Sequence, residues 1–123
     1  MTVLIVDDSK IIRMLLTNVL TNFLGGHNIF LEAENGAVAM QYMENHKVDL
    51  MMLDWNMPVM SGEAVVDAVR SNPKYKNTRI IMATTEGGRE DVLRMIKKGV
   101  NGYLVKPFKE PNIIKAVEAL RIR

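Results

Sequence analysis

Five short runs of apolar residues, each closed off by polar ones, recur along the chain: Val3–Val6, Ile29–Leu31, Val48–Leu53, Ile80–Ala83 and Tyr103–Val105. Each has the length of a strand, and most are apolar throughout rather than alternating, as strands covered on both faces should be. Between them lie segments of helical period. Residues 9–24 place apolar side chains at 12, 15, 16, 19, 20, 23 and 24 and end at Gly25-Gly26, a stop signal. Asn35 is placed to cap a helix running to about residue 45, and Ser61 one to about residue 70, ahead of Pro73. Residues 89–98 are apolar at 92, 93, 95 and 96 and stop at Gly99. The last helix has Pro111 in its first turn and apolar positions 113, 114, 117 and 120. Five strand–helix units in succession predict an α/β fold, a parallel sheet with helices on both faces joined by right-handed crossovers.

The 123 residues suit one domain spanning 1–123, and 48% hydrophobic content is enough to bury a core. Val3–Val6 is stopped at once by Asp7 and Asp8, far too soon for a signal peptide or membrane span. A cytoplasmic protein without a membrane partner is expected, with a monomer as its simplest state. No cysteine is present, which excludes disulfides and thiolate metal sites. The net charge is +2, but Lys and Arg are scattered and no nucleic-acid-binding pattern occurs, so no nucleic-acid partner is expected. The ten methionines fall mostly at core spacing and read as packing material. His27 and His46 lie far from the strand ends and read as surface residues, not phosphate carriers.

In an open parallel sheet, ligands sit beyond the carboxyl ends of the strands. Asp7 and Asp8 follow the first run, Asp54 the third, Thr84 and Thr85 the fourth, and Lys106 the fifth. Each has an ordinary reading by itself. Asp8 or Ser9 can cap the first helix, Asp54 can be a loop acid, Thr84 a turn hydroxyl and Lys106 a solvated charge. Together they bring three carboxylates against one ammonium. The excess of about two negative charges in a partly desolvated cleft calls for a hard divalent cation, and Mg²⁺ accepts one or two carboxylates plus waters. Metal and lysine together would draw in a phosphoryl group, and a carboxylate in line could take it as a nucleophile.

Asp7-Asp8, Asp54-Trp55-Asn56-Met57-Pro58, Thr84 and Lys106-Pro107-Phe108 resemble the marks of bacterial response-regulator receiver domains. The resemblance covers essentially the whole chain and leans, through Trp55-Asn56, Thr84-Thr85-Glu86 and Tyr103, towards the stand-alone chemotaxis regulators. It implies a flavodoxin-like (βα)5 fold with strand order 2-1-3-4-5, the order that flavodoxins and chemotaxis receivers share. It implies Asp54 as phosphoacceptor. Asp8, Asp54 and the backbone carbonyl of Asn56 would bind Mg²⁺, with Asp7 helping through water. Lys106 would contact the phosphoryl group, behind a cis Lys106–Pro107 bond, and Thr84 with Tyr103 would form the switch.

The implied partners are a histidine kinase, an output target such as the flagellar motor switch, and a phosphatase. The target would dock on the surface of helix 4, strand 5 and helix 5. Asn56 and Glu86 stand where the family tunes self-hydrolysis. Gly87-Gly88 should loosen the loop after strand 4, and Thr85 replaces a smaller expected residue.

Three other readings compete. A phosphatase using an aspartate nucleophile needs a second acid two residues on, where Asn56 stands. A flavin carrier needs a phosphate cradle where Asp7 and Asp8 would repel the phosphate. Within the family, a phosphorelay shuttle or a regulator of a non-motor target is the alternative. A switch that assists its own chemistry, rather than an enzyme, is the expectation.

Overall fold

The computed structural model describes residues 1–122. Strands β1 (Thr2–Val6), β2 (Ile29–Ala33), β3 (Leu50–Asp54), β4 (Arg79–Thr84) and β5 (Gly102–Val105) alternate with helices α1 (Lys10–Leu24), α2 (Gly36–Asn45), α3 (Gly62–Arg70), α4 (Arg89–Lys98) and α5 (Glu110–Glu118). All strand pairs are parallel, and the sheet runs β2-β1-β3-β4-β5. This is the flavodoxin-like order that the resemblance implied.

Alternation along β1 splits the core into two layers. Leu4 and Val6 face a cluster with Ala39 and Met43 of α2, Val65, Val66 and Val69 of α3, and Met95 of α4. Val3 and Ile5 face Leu16, Val19 and Leu20 of α1 with Ile113 and Val117 of α5. The central strand β3 is buried at every position. The edge strands are not: Ile29 on β2, and Tyr103 and Val105 on β5, are exposed. An edge strand has a neighbour on one side only, so an apolar run there overstates its cover.

Caps fall largely where the sequence signals them. Asn35 Oδ1 accepts the Val38 N–H at 2.9 Å and Ser61 Oγ the Ala64 N–H at 3.2 Å. At α1 the cap is Ser9, whose hydroxyl accepts the Ile12 N–H at 3.3 Å, which leaves Asp8 free for the sheet edge. Gly99 closes α4 in the left-handed region, with φ 109°. Several boundaries differ from the sequence reading. Val48 precedes β3, Asp54 and Thr84 are the last residues of their strands, and Leu120 lies beyond α5. A 3-10 turn at Pro73–Tyr75, capped by Asn72, has no counterpart in the sequence reading, because three residues carry no periodicity. Five of the ten methionines are buried and only Met14 is clearly exposed, consistent with their role as packing. His27 and His46 are exposed.

Candidate functional site

Parallel pairing brings four strand ends to one edge. Asp7 leaves β1, Asp54 ends β3 beside Ala83 of β4, Thr84 ends β4, and Lys106 leaves β5. The Lys106 ammonium donates to Asp54 Oδ1 at 3.0 Å and to Asp7 Oδ2 at 3.2 Å. The chain turns sharply behind it, through a cis Lys106–Pro107 bond. Asp7 and Asp54 are 1% and 3% exposed, whereas Asp8 is open to solvent. One carboxylate oxygen from each of Asp7, Asp8 and Asp54 lies within 4.8 Å of the others.

Backbone and side-chain donors aim the two buried acids. Asp7 Oδ1 accepts the Ser9 N–H at 2.8 Å, and Asp54 Oδ1 accepts the Asn56 N–H at 3.3 Å. Arg13 of α1 donates to the Asp7 carbonyl at 2.7 Å and pairs with Glu32 of β2 at 3.0 Å, tying the end of β1 to its neighbours. Sequence reading misses Arg13. Its only signal is a cation at a half-covered helix position.

Burial pushes the Asp7 and Asp54 carboxyls above the usual range, although Lys106 opposes this; each also feels a neighbouring carboxylate, Asp8 on Asp7 and Asp7 on Asp54. Burial alone would depress the Lys106 ammonium. Its hydrogen bond to Asp54 and the charges of both acids outweigh that and hold it above its ordinary value. One lysine therefore leaves the acids under-neutralised. Oxygen ligands clustered at this spacing, buried and short of positive charge, are the donor set a hard divalent cation requires.

Asn56 is exposed and directly follows Trp55, which is buried under the Arg94 guanidinium at 6.0 Å from the ring centre. Thr84 is fully buried, and its hydroxyl accepts the Glu86 N–H at 2.9 Å. In the β4–β5 register Thr84 pairs with Val105 and Met82 with Tyr103, so Tyr103 lies diagonally from Thr84 on the adjoining strand. Tyr103 is 43% exposed and stands at the sheet edge, outside the acid cluster. The glycine loop is packed closer than its composition suggests. A Cβ at Gly87 would come 2.7 Å from Val105 Cγ2, so the residue there permits a close approach to β5.

The response regulator receiver domain family matches residues 3–118. A chemotaxis protein CheY homologue of Campylobacter jejuni is 45% identical over 116 residues, covering 94% of this chain and 87% of that one. Chemotaxis protein CheY1 of Helicobacter pylori is 42% identical, over 94% of this chain and 91% of its own. Among solved structures, the chemotaxis response regulator CheY4 of Vibrio cholerae superposes with a TM-score of 0.88 at 35% identity, covering 97% of each chain.

Proposed function

The chain belongs to the response regulator receiver family, as a regulator of the chemotaxis CheY type, and from that premise we propose that it is a one-domain phosphorylation switch charged at Asp54. The observation that carries this reading is the Lys106 ammonium bridging two buried carboxylates, with a third close by. Asp54 Oδ1 already accepts two hydrogen bonds, which leaves Oδ2 as the attacking atom. Oδ2 would attack the phosphorus of a histidine kinase phospho-imidazole in line. The P–O bond forms, the P–N bond breaks, and the leaving nitrogen keeps the electron pair.

Asp7, Asp8, Asp54 and the carbonyl of Asn56 are the groups that would hold Mg²⁺. Bound there, the ion would supply charge balance for the phosphoryl oxygens. Lys106 would move its hydrogen bonds from the acids to a phosphoryl oxygen. Thr84 would donate its hydroxyl proton to another, drawing the loop at Glu86 with it. No acid stands two residues after Asp54 to shuttle protons, so the site stores a phosphoryl group rather than turning one over. Exposed Asn56 leaves water a path to it, and an associated phosphatase would use the same path.

The output surface in this reading is α4, β5 and α5, where Leu93, Ile96, Tyr103 and Val105 present apolar side chains to solvent. The chemotaxis names of the relatives support a target in the control of motility, which we take to be a flagellar motor switch protein rather than a relay partner. Work in the cytoplasm fits this partner set, and among the described residues no helix is long and apolar enough to cross a membrane. The test is phosphotransfer. A radiolabelled phospho-histidine kinase should pass its label to the wild-type chain in Mg²⁺ and to neither Asp54→Asn nor an EDTA-treated sample. Undiminished acid-labile labelling of Asp54→Asn overturns the reading.

A further inference from the structure

At the opposite edge of the sheet, among the turns that lead into β4 and β5, Arg70, Lys76, Arg79, Asn72, Asn77 and Asn101 line a cleft of about 420 Å³. No carboxylate lines it. Four cationic side chains of the described chain are only half exposed: Arg13, Arg70, Lys98 and Lys106. Arg13 pairs with Glu32, Lys98 with Asp67, and Lys106 with Asp7 and Asp54. Arg70 has only neutral acceptors: the carbonyls of Gly99 at 2.9 Å, Tyr75 at 3.3 Å and Thr78 at 2.7 Å, and Asn101 Oδ1 at 3.0 Å. Its hydrogen bonds are met, and its charge is not. Burial and the neighbouring Arg79 lower its pKa, as expected for a cation held without a counter-charge.

The amides in the cleft are oriented by bonds on their oxygens. Asn101 Oδ1 accepts from the Ile80 N–H at 2.8 Å as well as from Arg70, and Asn72 Oδ1 accepts the Lys74 N–H at 3.0 Å. Each is left with its NH₂ group to donate. The cleft thus offers two amide donors, the Lys76 ammonium and the Arg79 guanidinium, beside the unmatched charge of Arg70. Its volume falls within the range of small-ligand sites, about 300–1,000 Å³.

We propose that this cleft binds a phosphate group, on the face opposite the acid cluster and independently of it. A tetrahedral dianion supplies both the counter-charge and the several acceptor oxygens that such a set of donors matches. The group could arrive as inorganic phosphate or as a monoester with a small substituent, and the two sources are separable by titration.

The experiment follows ¹H–¹⁵N shifts of the full chain at neutral pH with EDTA, which keeps phosphate from metal at the acid cluster. Inorganic phosphate and adenosine monophosphate are titrated separately, each against chloride at equal ionic strength. Saturable shifts at Arg70 Nε–H and the Asn101 side-chain amide are expected. In Lys76→Gln/Arg79→Gln, which spares the Arg70 hydrogen bonds, the midpoint should rise at least about tenfold for two lost charged contacts. Tighter binding of the nucleotide identifies a monoester as the ligand, and equal or weaker binding identifies free phosphate. Shifts that never saturate, that centre elsewhere, or that keep the same midpoint in the double variant overturn the proposal.

Discussion

At the scale of single residues, burial and charge act against each other on Asp54 and Asp7. Without metal, burial holds both carboxyls above the ordinary value of 3.8, so the folded chain keeps these protons to a higher pH than the unfolded chain. As pH rises past that value the unfolded state releases its protons first. Stability therefore falls until the folded carboxyls have ionised too. Asp54→Asn should remove part of this fall and make the metal-free protein more stable at neutral pH, by on the order of 1 kcal/mol. Urea melts in EDTA at pH 5 and pH 7 check this, and a variant less stable than wild type at pH 7 contradicts it. Val59 supplies a second case. It is 82% exposed at φ 70°, at the centre of a turn closed by the Met60 N–H on the Pro58 carbonyl at 2.8 Å. A β-branched side chain is strained there and gains nothing from burial. Val59→Asn should stabilise by about 1 kcal/mol, read as a raised Tm.

At the scale of elements, two contacts that tie down the C-terminal end of α3 differ in worth. Arg70 joins the end of α3, the 3-10 turn and the starts of β4 and β5 through four hydrogen bonds in a half-buried setting. Lys98 joins α4 to α3 through exposed Asp67 at 3.1 Å. Arg70→Met should cost about 2–4 kcal/mol by leaving carbonyls unpaired. Lys98→Met should stay within about 0.5 kcal/mol. Equal losses in denaturant melts would refute that ranking.

The strands are legible in the sequence because a parallel sheet buried on both faces writes itself as apolar runs, and the chemistry is legible because Asp7, Asp8, Asp54 and Lys106 directly follow such runs. Arg70 is not. Three of its four acceptors are backbone carbonyls brought together by tertiary structure, and a carbonyl leaves no mark on residue identity. The same holds for Arg13. Between Asp8 and Ser9, only geometry selects the cap. The switch also belongs to this scale. Thr84→Ala should still accept a phosphoryl group yet lose target affinity by a coupling of about 1–3 kcal/mol. Equal affinities of the phosphorylated wild type and variant, measured by calorimetry, would exclude Thr84 from the switch.

For the molecule as a whole, the fold acts as a frame that brings residues 99 positions apart, Asp7 and Lys106, within hydrogen-bond distance at one edge. Both core layers are built from the strands that carry the acids, so the acid cluster exists only once the sheet has closed. The central claim is that this assembled edge makes Asp54 the phosphoacceptor. Acetyl phosphate with Mg²⁺ needs no partner protein and tests that claim alone. The protein is then reduced with borohydride, which converts an aspartyl-phosphate to homoserine, and its peptides are mapped by mass spectrometry. The account predicts homoserine at position 54 alone, absent when Mg²⁺ is omitted. Homoserine at position 7 or 8 instead, or the same yield at position 54 in EDTA, would contradict it.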